Sequence, residues 1–517
     1  MRAFFKTILF GLCLTLLFSR VGYAHPNHST KYGGQLVLST TSDPKSFNDI
    51  IAKETSTTLV TGHIFEGLTT TNAFTTQVEP HLAKRWEVSN DGLRWIFYLR
   101  DDVRWSDGHP FTADDVVFTF NELIYNSDIP SSARDIFTID GKVFKVEKIS
   151  DYSVRFTLPV KFAPFLRGMG QSILPKHKLK AVVEKDAFNF TWGIDTPPSE
   201  IIGTGPFVFS KYEPGQRLIF KRNPRYWKHS REGDQLPYLE KIIYLIVQNQ
   251  DVALLKFMEG ATDSYGFRGM DYPLLKPLEK ERDFTVHNLG PDTGSNFILF
   301  NQNTGKNPTT HEPFVAPHKS GWFTNKDFRR GVAHAVDKEK MIEIVRNRLG
   351  YPQYSPIGPG AGFFHNRDVA KYDYDLQKAG DVLREAGFLD RDGDGFIEDQ
   401  QGNLVEFNLY TNAGNTERVD IAGIIRYDLE KLGMKVNFLV LEFNTLVSKL
   451  NATFEWDAII LGLTGGIEPH FGKNVWNSKG QLHLWYPQQE SPECQHLAPS
   501  RSCREREQHL VVVRRCE

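Results

Sequence analysis

One stretch, residues 79–125, constrains the fold of this 517-residue chain more than any other. After an Asn-Asp-Gly turn, its apolar residues recur with a period of two, and this alternation predicts a β-strand over residues 94–99. Trp95 and Phe97 then share one face of the strand and Ile96 lies on the other. We therefore expect Phe97 to be buried.

The second half of the same stretch predicts a polar turn followed by a helix. After the turn at residues 105–110, Thr112 can cap a helix that carries Asp114 and Asp115 in its first turn, where acidic groups suit the helix dipole. The apolar face of this helix is predicted to comprise Val116, Val117, Phe120, Leu123 and Ile124. Because the stretch contains no nucleophile, metal cage or phosphate loop, we interpret it as a scaffold.

The spacing of residues in this stretch resembles the signature of extracytoplasmic solute-binding proteins of the dipeptide and oligopeptide type (bacterial family 5). These are the receptors of ABC importers. The matching residues are Leu82, Ala83, Trp86, Asp91, Gly92, Phe97, Leu99, Arg100, Val103, Trp105, Asp107, Gly108, Pro110, Thr112, Ala113, Asp115 and Val116. Residues 173–177, 222–227 and 328–337 match further phrases of the same family.

The resemblance implies an α/β, bilobal periplasmic binding protein of type II (cluster C) with an extra domain. It also implies a receptor, not an enzyme, that captures a peptide or similar small solute in an interdomain cleft. Hinge closure would engulf the ligand, and the closed form would deliver it to an ABC transporter permease. We expect the receptor to be a monomer.

Length and charge agree with this interpretation. A chain of 517 residues is too long for one core and predicts two or three domains. A formal net charge of −2 argues against nucleic acid as a partner, because phosphate binding needs a concentrated basic surface. The chain has no cysteine from residue 24 to residue 493, so the body of the protein needs no disulfides.

The amino terminus reads as a secretory signal peptide. Residues 1–24 combine Arg2 and Lys6 with an apolar run and a small-x-small site that ends at Ala24. The run is about a dozen residues long, short of the roughly 20 that span a bilayer. Leu12 stands where a lipidated Cys13 would require a small residue. We expect a soluble periplasmic or extracytoplasmic protein, cleaved after Ala24.

The order of predicted elements suggests three domains. Domain I is discontinuous, formed by residues 32–65 and 201–290; domain II comprises residues 66–200, and domain III residues 291–492. A helix is predicted over much of residues 54–68.

Beyond residue 492 the composition changes abruptly and the resemblance stops, so residues 493–517 are interpreted as an aberrant, disordered tail. A truncation or an altered reading frame would explain it, and the segment that completes domain I would then be missing.

The resemblance places the ligand site near residues 464–468. Peptide-binding relatives supply an aspartate here for the ligand's amino terminus, but this chain has Gly465 and Gly466 at the aligned positions. Because a buried ammonium group needs a charged partner, either Glu54 or Glu468 replaces the aspartate, or the ligand is not a peptide with a free amine. The candidate ligand-binding residues are Glu54, Thr464, Gly465, Gly466 and Glu468.

A second candidate site has the spacing of a calcium loop. Its oxygen donors are Asp390, Asp392, Asp394 and Glu398, but the last position holds Gln401, which cannot supply the bidentate carboxylate. A tight, solvated turn explains the same residues, and we favour that explanation. We expect no cofactor, with calcium kept as the alternative.

Motifs for catalysis are missing or incomplete. The glycines at residues 203–205 are followed by Pro206 and a strand pattern, so they predict a strand entry and not a nucleotide loop. The glycine-lysine pair at residues 472–473 lacks P-loop spacing, and Ser42 with Lys45 lacks the partner motifs of a serine acyl-enzyme. A periplasmic chaperone or adhesin using the same cleft remains the alternative function, followed by an exported hydrolase.

Overall fold

The computed structural model describes residues 31–486. Within this range the backbone forms three four-stranded sheets and two two-stranded ones. The predicted signal peptide (1–24) and the predicted tail (493–517) lie outside the described residues.

The first sheet has the order β1-β12-β11-β10, and the second has the order β4-β5-β9-β8. Strand β1 runs parallel to β12, whereas all other pairs in these two sheets are antiparallel. The strands are β1 (Gly33–Thr40), β2 (Thr69–Thr71), β3 (Val78–Pro80), β4 (Ala83–Val88), β5 (Arg94–Leu99), β6 (Thr138–Ile139), β7 (Lys142–Val143), β8 (Lys145–Ser150), β9 (Ser153–Thr157), β10 (Phe207–Glu213), β11 (Arg217–Arg222) and β12 (Leu239–Ile246).

Helices in this part of the chain are short. They are α1 (Thr55–Thr61), α2 (Ala113–Phe118), α3 (Ala133–Ile136), α4 (Phe165–Gly168), α5 (Lys176–Val183), α6 (Gln250–Met258) and α7 (Tyr272–Arg282). A π-helical turn, Thr119–Ile124, continues α2, and 3-10 turns occur at Phe188–Phe190, Pro198–Glu200 and Gly269–Asp271.

One hydrophobic core, running from Phe47 to Tyr244, joins the first and second sheets. The buried carboxylate of Glu66 also helps to join them, because it accepts hydrogen bonds from Tyr226 Oη (2.9 Å) and Trp227 Nε1 (3.0 Å). We call this part of the molecule, residues 31–290, the first lobe.

The second lobe, residues 291–486, is built on a third sheet with the order β13-β16-β14-β15. Its strands are β13 (Ser295–Phe300), β14 (Glu406–Asn412), β15 (Lys435–Leu441) and β16 (Ala458–Leu463). Its helices are α8 (Pro317–Thr324), α9 (Lys326–His334), α10 (Lys338–Ile344), α11 (Leu376–Glu385), α12 (Thr416–Glu430), α13 (Phe443–Ser448) and α14 (Lys473–Trp476), with 3-10 turns at Pro359–Phe364 and Pro469–Gly472 and a π turn at Lys449–Thr453. Separate cores pack around this sheet. The predicted bilobal α/β fold is confirmed, whereas the exact domain boundaries stay predictions.

Residues 79–125 fold as predicted, with one local difference. Phe97 on β5 is fully buried, and Thr112 caps α2 by accepting from the backbone N–H of Asp114. On α2 itself Phe118 is fully buried, whereas Val117, which was predicted for the apolar face, is only partly buried.

Helix α1 is shorter than the pattern of residues 54–68 predicted. It ends at Thr61, and the following backbone packs against the glycines at residues 203–205. The Gly205 N–H donates to the carbonyl oxygen of Ile64 (2.8 Å), and a β-carbon at Gly203 would lie 2.1 Å from that same oxygen. This long-range packing outweighs the local helical pattern, and it gives the glycines a structural role.

None of the helices between residues 31 and 486 has both the length and the apolar character required to span a bilayer.

Candidate functional site

The two lobes meet along a segment that follows β16, and we call residues 469–481 the bridging segment. His470 Nε2 donates to the carbonyl oxygen of Ile136 (2.8 Å), and Lys473 Nζ donates to that of Thr138 (2.7 Å). The backbone N–H of Gln481 donates to Asp135 Oδ2 (2.7 Å). The ring of His470 also packs edge-on against Phe162, with centroids 4.5 Å apart. The second lobe therefore rests on the first through directed polar contacts.

The two residues that precede the bridging segment, Ile467 and Glu468, line a cavity of about 260 Å³ between the lobes. The first lobe contributes Thr76 and Arg167 to its wall, and the second lobe contributes residues 360–364, Ile467 and Glu468. A larger concavity, about 680 Å³, is lined mainly by residues of α10 and α12 together with Met270 of the first lobe, and it shares no lining residue with this cavity.

Arg167 gives the cavity a cation from the first lobe. It lies on α4, where its Nη1 donates to Thr71 Oγ1 (3.1 Å) and its Nη2 to the carbonyl oxygen of Thr76 (2.7 Å). These two bonds leave further N–H groups of the guanidinium available, since arginine carries five donors. Arg167 was not predictable from the sequence, because no local motif marks a residue on a one-turn helix as part of a distant cleft.

Glu468 gives the same cavity an anion from the second lobe. Its carboxylate caps the 3-10 turn Pro469–Gly472 by accepting weakly from the backbone N–H of His470 (3.5 Å). A carboxylate and a guanidinium from opposite lobes therefore line one cavity. Such an arrangement can bind a ligand that carries both a positive and a negative group.

The two glycines that precede Glu468 differ in the space around them. A β-carbon at Gly465 would lie 2.0 Å from the carbonyl oxygen of Thr293, whereas one at Gly466 would meet no heavy atom closer than 4.0 Å. Thr293 Oγ1 also donates to the carbonyl oxygen of Gly465 (2.8 Å). The backbone at Gly465 excludes any side chain, whereas the position of Gly466 could hold one. Thr464 begins this exposed loop directly after β16.

Glu54 lies away from the cavity, at the start of α1 in the first lobe. Its carboxylate accepts from the backbone N–H of Lys53 (3.2 Å) and from the Thr57 hydroxyl. The structure thus brings Glu468 to the cavity wall and leaves Glu54 outside that wall. The assignment of all five predicted ligand-binding residues stays a prediction.

A polar cluster lies at the end of β16 next to this loop. Arg418 on α12 donates to Asn296 Oδ1 (2.9 Å) and Asn412 Oδ1 (3.0 Å). Burial, partly offset by the neighbouring Glu417, lowers the pKa of Arg418 to about 10. A β-carbon at Gly462 would lie 2.1 Å from the Arg418 guanidinium, so the glycine makes room for it.

The predicted calcium loop forms a compact turn in the second lobe. Ligand atoms of Asp390, Asp392, Asp394 and Glu398 lie within 4.8 Å of one another. The aspartates also accept backbone N–H bonds within the turn, for example from Gly393 to Asp390 (2.6 Å), and Glu398 accepts from the N–H of Arg391 (2.8 Å). These bonds suit the solvated turn, and the calcium alternative remains untested.

Two lobes of mixed α/β structure, joined around a cleft lined by charges from both sides, define the class of type II periplasmic binding proteins. The chain belongs to the bacterial extracellular solute-binding proteins of family 5, whose middle-region model matches residues 77–481.

Individual relatives extend the likeness over most of the chain. A probable ABC transporter-binding protein of Deinococcus radiodurans is 29% identical over 440 residues, 80% of this chain and 72% of that relative. The oligopeptide-binding protein AppA of Bacillus subtilis is 28% identical over 488 residues, 91% of this chain and 82% of AppA. The solved structure of AppA with a nonapeptide matches at a TM-score of 0.75 and 26% identity, covering 92% of this chain and 90% of AppA.

Another relative is named for a different ligand class. A periplasmic α-galactoside-binding protein of Rhizobium meliloti is 28% identical over 377 residues, which cover 69% of this chain and 53% of that relative.

Proposed function

We propose that this protein is a receptor that captures a peptide or a similar small zwitterionic solute between its lobes and delivers it to the permease of an ABC importer. The observation that carries the proposal is the pairing of Arg167 and Glu468 on opposite walls of one cavity. A receptor that closes around its ligand needs recognition groups on both lobes, because contacts to both stabilise the closed form.

The charges suit the two ends of a peptide. The Arg167 guanidinium would bind a carboxylate, since its planar fork matches carboxylate geometry. Glu468 would bind an ammonium group. It would thereby replace the aspartate of the peptide-binding relatives, since this chain has a glycine at position 466. The oligopeptide ligand of AppA and the α-galactoside of the Rhizobium meliloti relative are properties of those proteins. The charged walls of this cavity favour a charged solute over a neutral sugar.

We also propose that the protein performs no catalysis. Its membership in a solute-binding family supports this, as does the use of the cleft groups in structural hydrogen bonds. Arg167 is bonded to Thr71 and Thr76, and Glu468 caps a turn. A catalytic acid or base would instead be poised against a reacting group.

The test is mass spectrometry of the intact protein under native conditions, followed by denaturation and identification of the released solute. We expect one small zwitterionic solute per chain, chemically unchanged after prolonged incubation with the protein. Steady cleavage of the solute would indicate an exported hydrolase. Preferential capture of unfolded polypeptides would indicate a chaperone, and capture of a host surface ligand would indicate an adhesin.

Transport is tested separately. Deletion of the gene should abolish uptake of the identified solute, and re-expression should restore it. Retained uptake in the deletion strain would contradict the role in import.

A further inference from the structure

A carboxylate and two imidazoles converge on the surface of the first lobe. Asp107 Oδ2 accepts a hydrogen bond from His177 Nε2 (2.7 Å), and Asp107 Oδ1 lies 3.4 Å from His109 Nδ1. The two histidine rings stack with centroids 4.1 Å apart. One ligand atom from each of the three residues lies within 4.8 Å of the others.

The backbone holds Asp107 and His109 in a closed turn. The N–H of Trp105 donates to the carbonyl oxygen of His109 (2.8 Å), and the N–H of Gly108 donates to that of Trp105 (2.8 Å). Gly108 has a φ of +98°, a conformation that favours glycine. The N–H of His109 also donates to Asp107 Oδ1 (3.1 Å). The turn is therefore ordered without any added ligand.

A single buried carboxylate ties this turn to the helix that carries His177. Asp115 Oδ2 accepts from the indole Nε1 of Trp105 (3.3 Å), and its Oδ1 accepts from the backbone N–H of Lys176 at the start of α5 (2.9 Å). Asp115 is only 4% exposed. The two chain segments that supply the three groups are thus held in a common frame, although they are separated by about 70 positions.

The residue types match a transition metal better than an alkaline-earth ion. Imidazole nitrogen suits Zn²⁺, Ni²⁺ and Cu²⁺, whereas Ca²⁺ and Mg²⁺ take oxygen ligands. Three protein ligands from histidine and a carboxylate, with water in the fourth position, form a common open zinc site. The His109 side chain is 60% exposed, so its ring can turn toward an ion and solvent can supply the fourth ligand.

Charged groups at the cluster act on a bound cation in opposite directions. Asp107 is the acidic ligand of the cluster, and its carboxylate already accepts from His177 Nε2 and from the backbone N–H of His109. Arg225 is a nearby cation that disfavours an ion, although its guanidinium is engaged with the carbonyl oxygen of Ser106 (2.9 Å).

We propose that Asp107, His109 and His177 form a Zn²⁺-binding site on the first lobe, separate from the solute cleft. None of the three residues lines the cavity between the lobes. The site therefore does not depend on which solute the cleft takes, and its test does not depend on the proposed function.

The experiment titrates metal-free, untagged protein with Zn²⁺ by calorimetry and with Co²⁺ by visible absorption. We expect one saturable Zn²⁺ site and the intense absorption bands of tetrahedral Co²⁺, which excess Zn²⁺ removes. His109→Ala and Asp107→Asn should each weaken Zn²⁺ binding at least tenfold and abolish those bands. His287→Ala, at another exposed histidine, is the matched control and should leave both readouts unchanged.

The chain carries 16 histidines, so the comparison among variants decides the result. Because His109 is largely exposed, its replacement should leave thermal unfolding of the metal-free protein unchanged, which keeps the test valid even if His177→Ala fails to fold. Equal Zn²⁺ affinity in wild type and His109→Ala would overturn the proposal. Loss of binding in the His287→Ala control, or no saturable binding in wild type, would overturn it as well.

Discussion

His470 donates a hydrogen bond from Nε2 to the carbonyl oxygen of Ile136, and this 2.8 Å contact joins residues 334 positions apart in the chain. The contact belongs to the bridging segment, through which the second lobe rests on the first. Burial lowers the pKa of His470 and outweighs the opposing effect of the hydrogen bond to Ile136, and the charge of Lys473 lowers the pKa slightly further. The neutral ring is therefore the form that suits the joined lobes.

Acid should destabilise the folded protein at His470, because protonation would place a charged ring in a buried position. Because the pKa of His470 is lower in the folded protein than in the unfolded chain, where it is about 6.5, the unfolded chain binds more protons between the two values. The contribution of His470 is fully present above about pH 6.5 and is lost as the pH falls from there toward the lowered pKa.

His470→Gln isolates this contribution, because glutamine keeps a donor but does not titrate. In thermal unfolding, the wild type should lose more stability than this variant when the pH is lowered from about 7.5 to about 5.5. This range spans the usual pKa of histidine. His63 and His483, two partly buried histidines whose pKa values are also lowered by burial, remain in both proteins and cancel in the comparison. An identical pH dependence in the two proteins would show that the contact is absent in solution.

Phe97 tests the core of the first lobe. Its ring is fully buried and lies 5.6 Å from that of Phe156 in a T-shaped pair. Phe97→Ala should lower the free energy of unfolding by about 3–5 kcal/mol. Phe74→Ala, at a ring that is 97% exposed, is the control and should change it by less than about 0.5 kcal/mol. Similar values for the two variants in denaturant unfolding would mean that β5 is wrongly placed.

The paired glycines give a test of the loop beside the cavity. Gly465→Ala should destabilise the protein by about 1–3 kcal/mol, because the new methyl group would overlap the carbonyl oxygen of Thr293. Gly466→Ala meets open space and should change stability by less than about 0.5 kcal/mol. Thermal or denaturant unfolding of both variants checks the difference, and the reverse order would contradict the path of the loop.

Local patterns in the sequence predicted much of the fold. The strand at residues 94–99 and the cap at Thr112 depend on neighbours a few positions away, so alternation and capping were enough to locate β5 and the start of α2. The family resemblance supplied the bilobal arrangement, which these short patterns alone do not contain.

Features that depend on distant contacts were not predictable in the same way. Helix α1 ends early because Ile64 meets Gly205, about 140 positions later in the chain. Asp115 was interpreted through the helix dipole, but it is buried and bonds to Lys176. Arg167 and Glu468 approach one cavity from different lobes, and only the tertiary structure brings them together.

The central claim is that a charged solute binds between Arg167 and Glu468, and the direct measurement is calorimetric affinity for the solute released from the native protein. Arg167→Gln and Glu468→Gln should each weaken binding at least tenfold, as expected when one partner of a charged hydrogen bond is removed. Glu430→Gln, at an exposed position on α12, should bind like the wild type. Wild-type affinity in both cleft variants would contradict the claim.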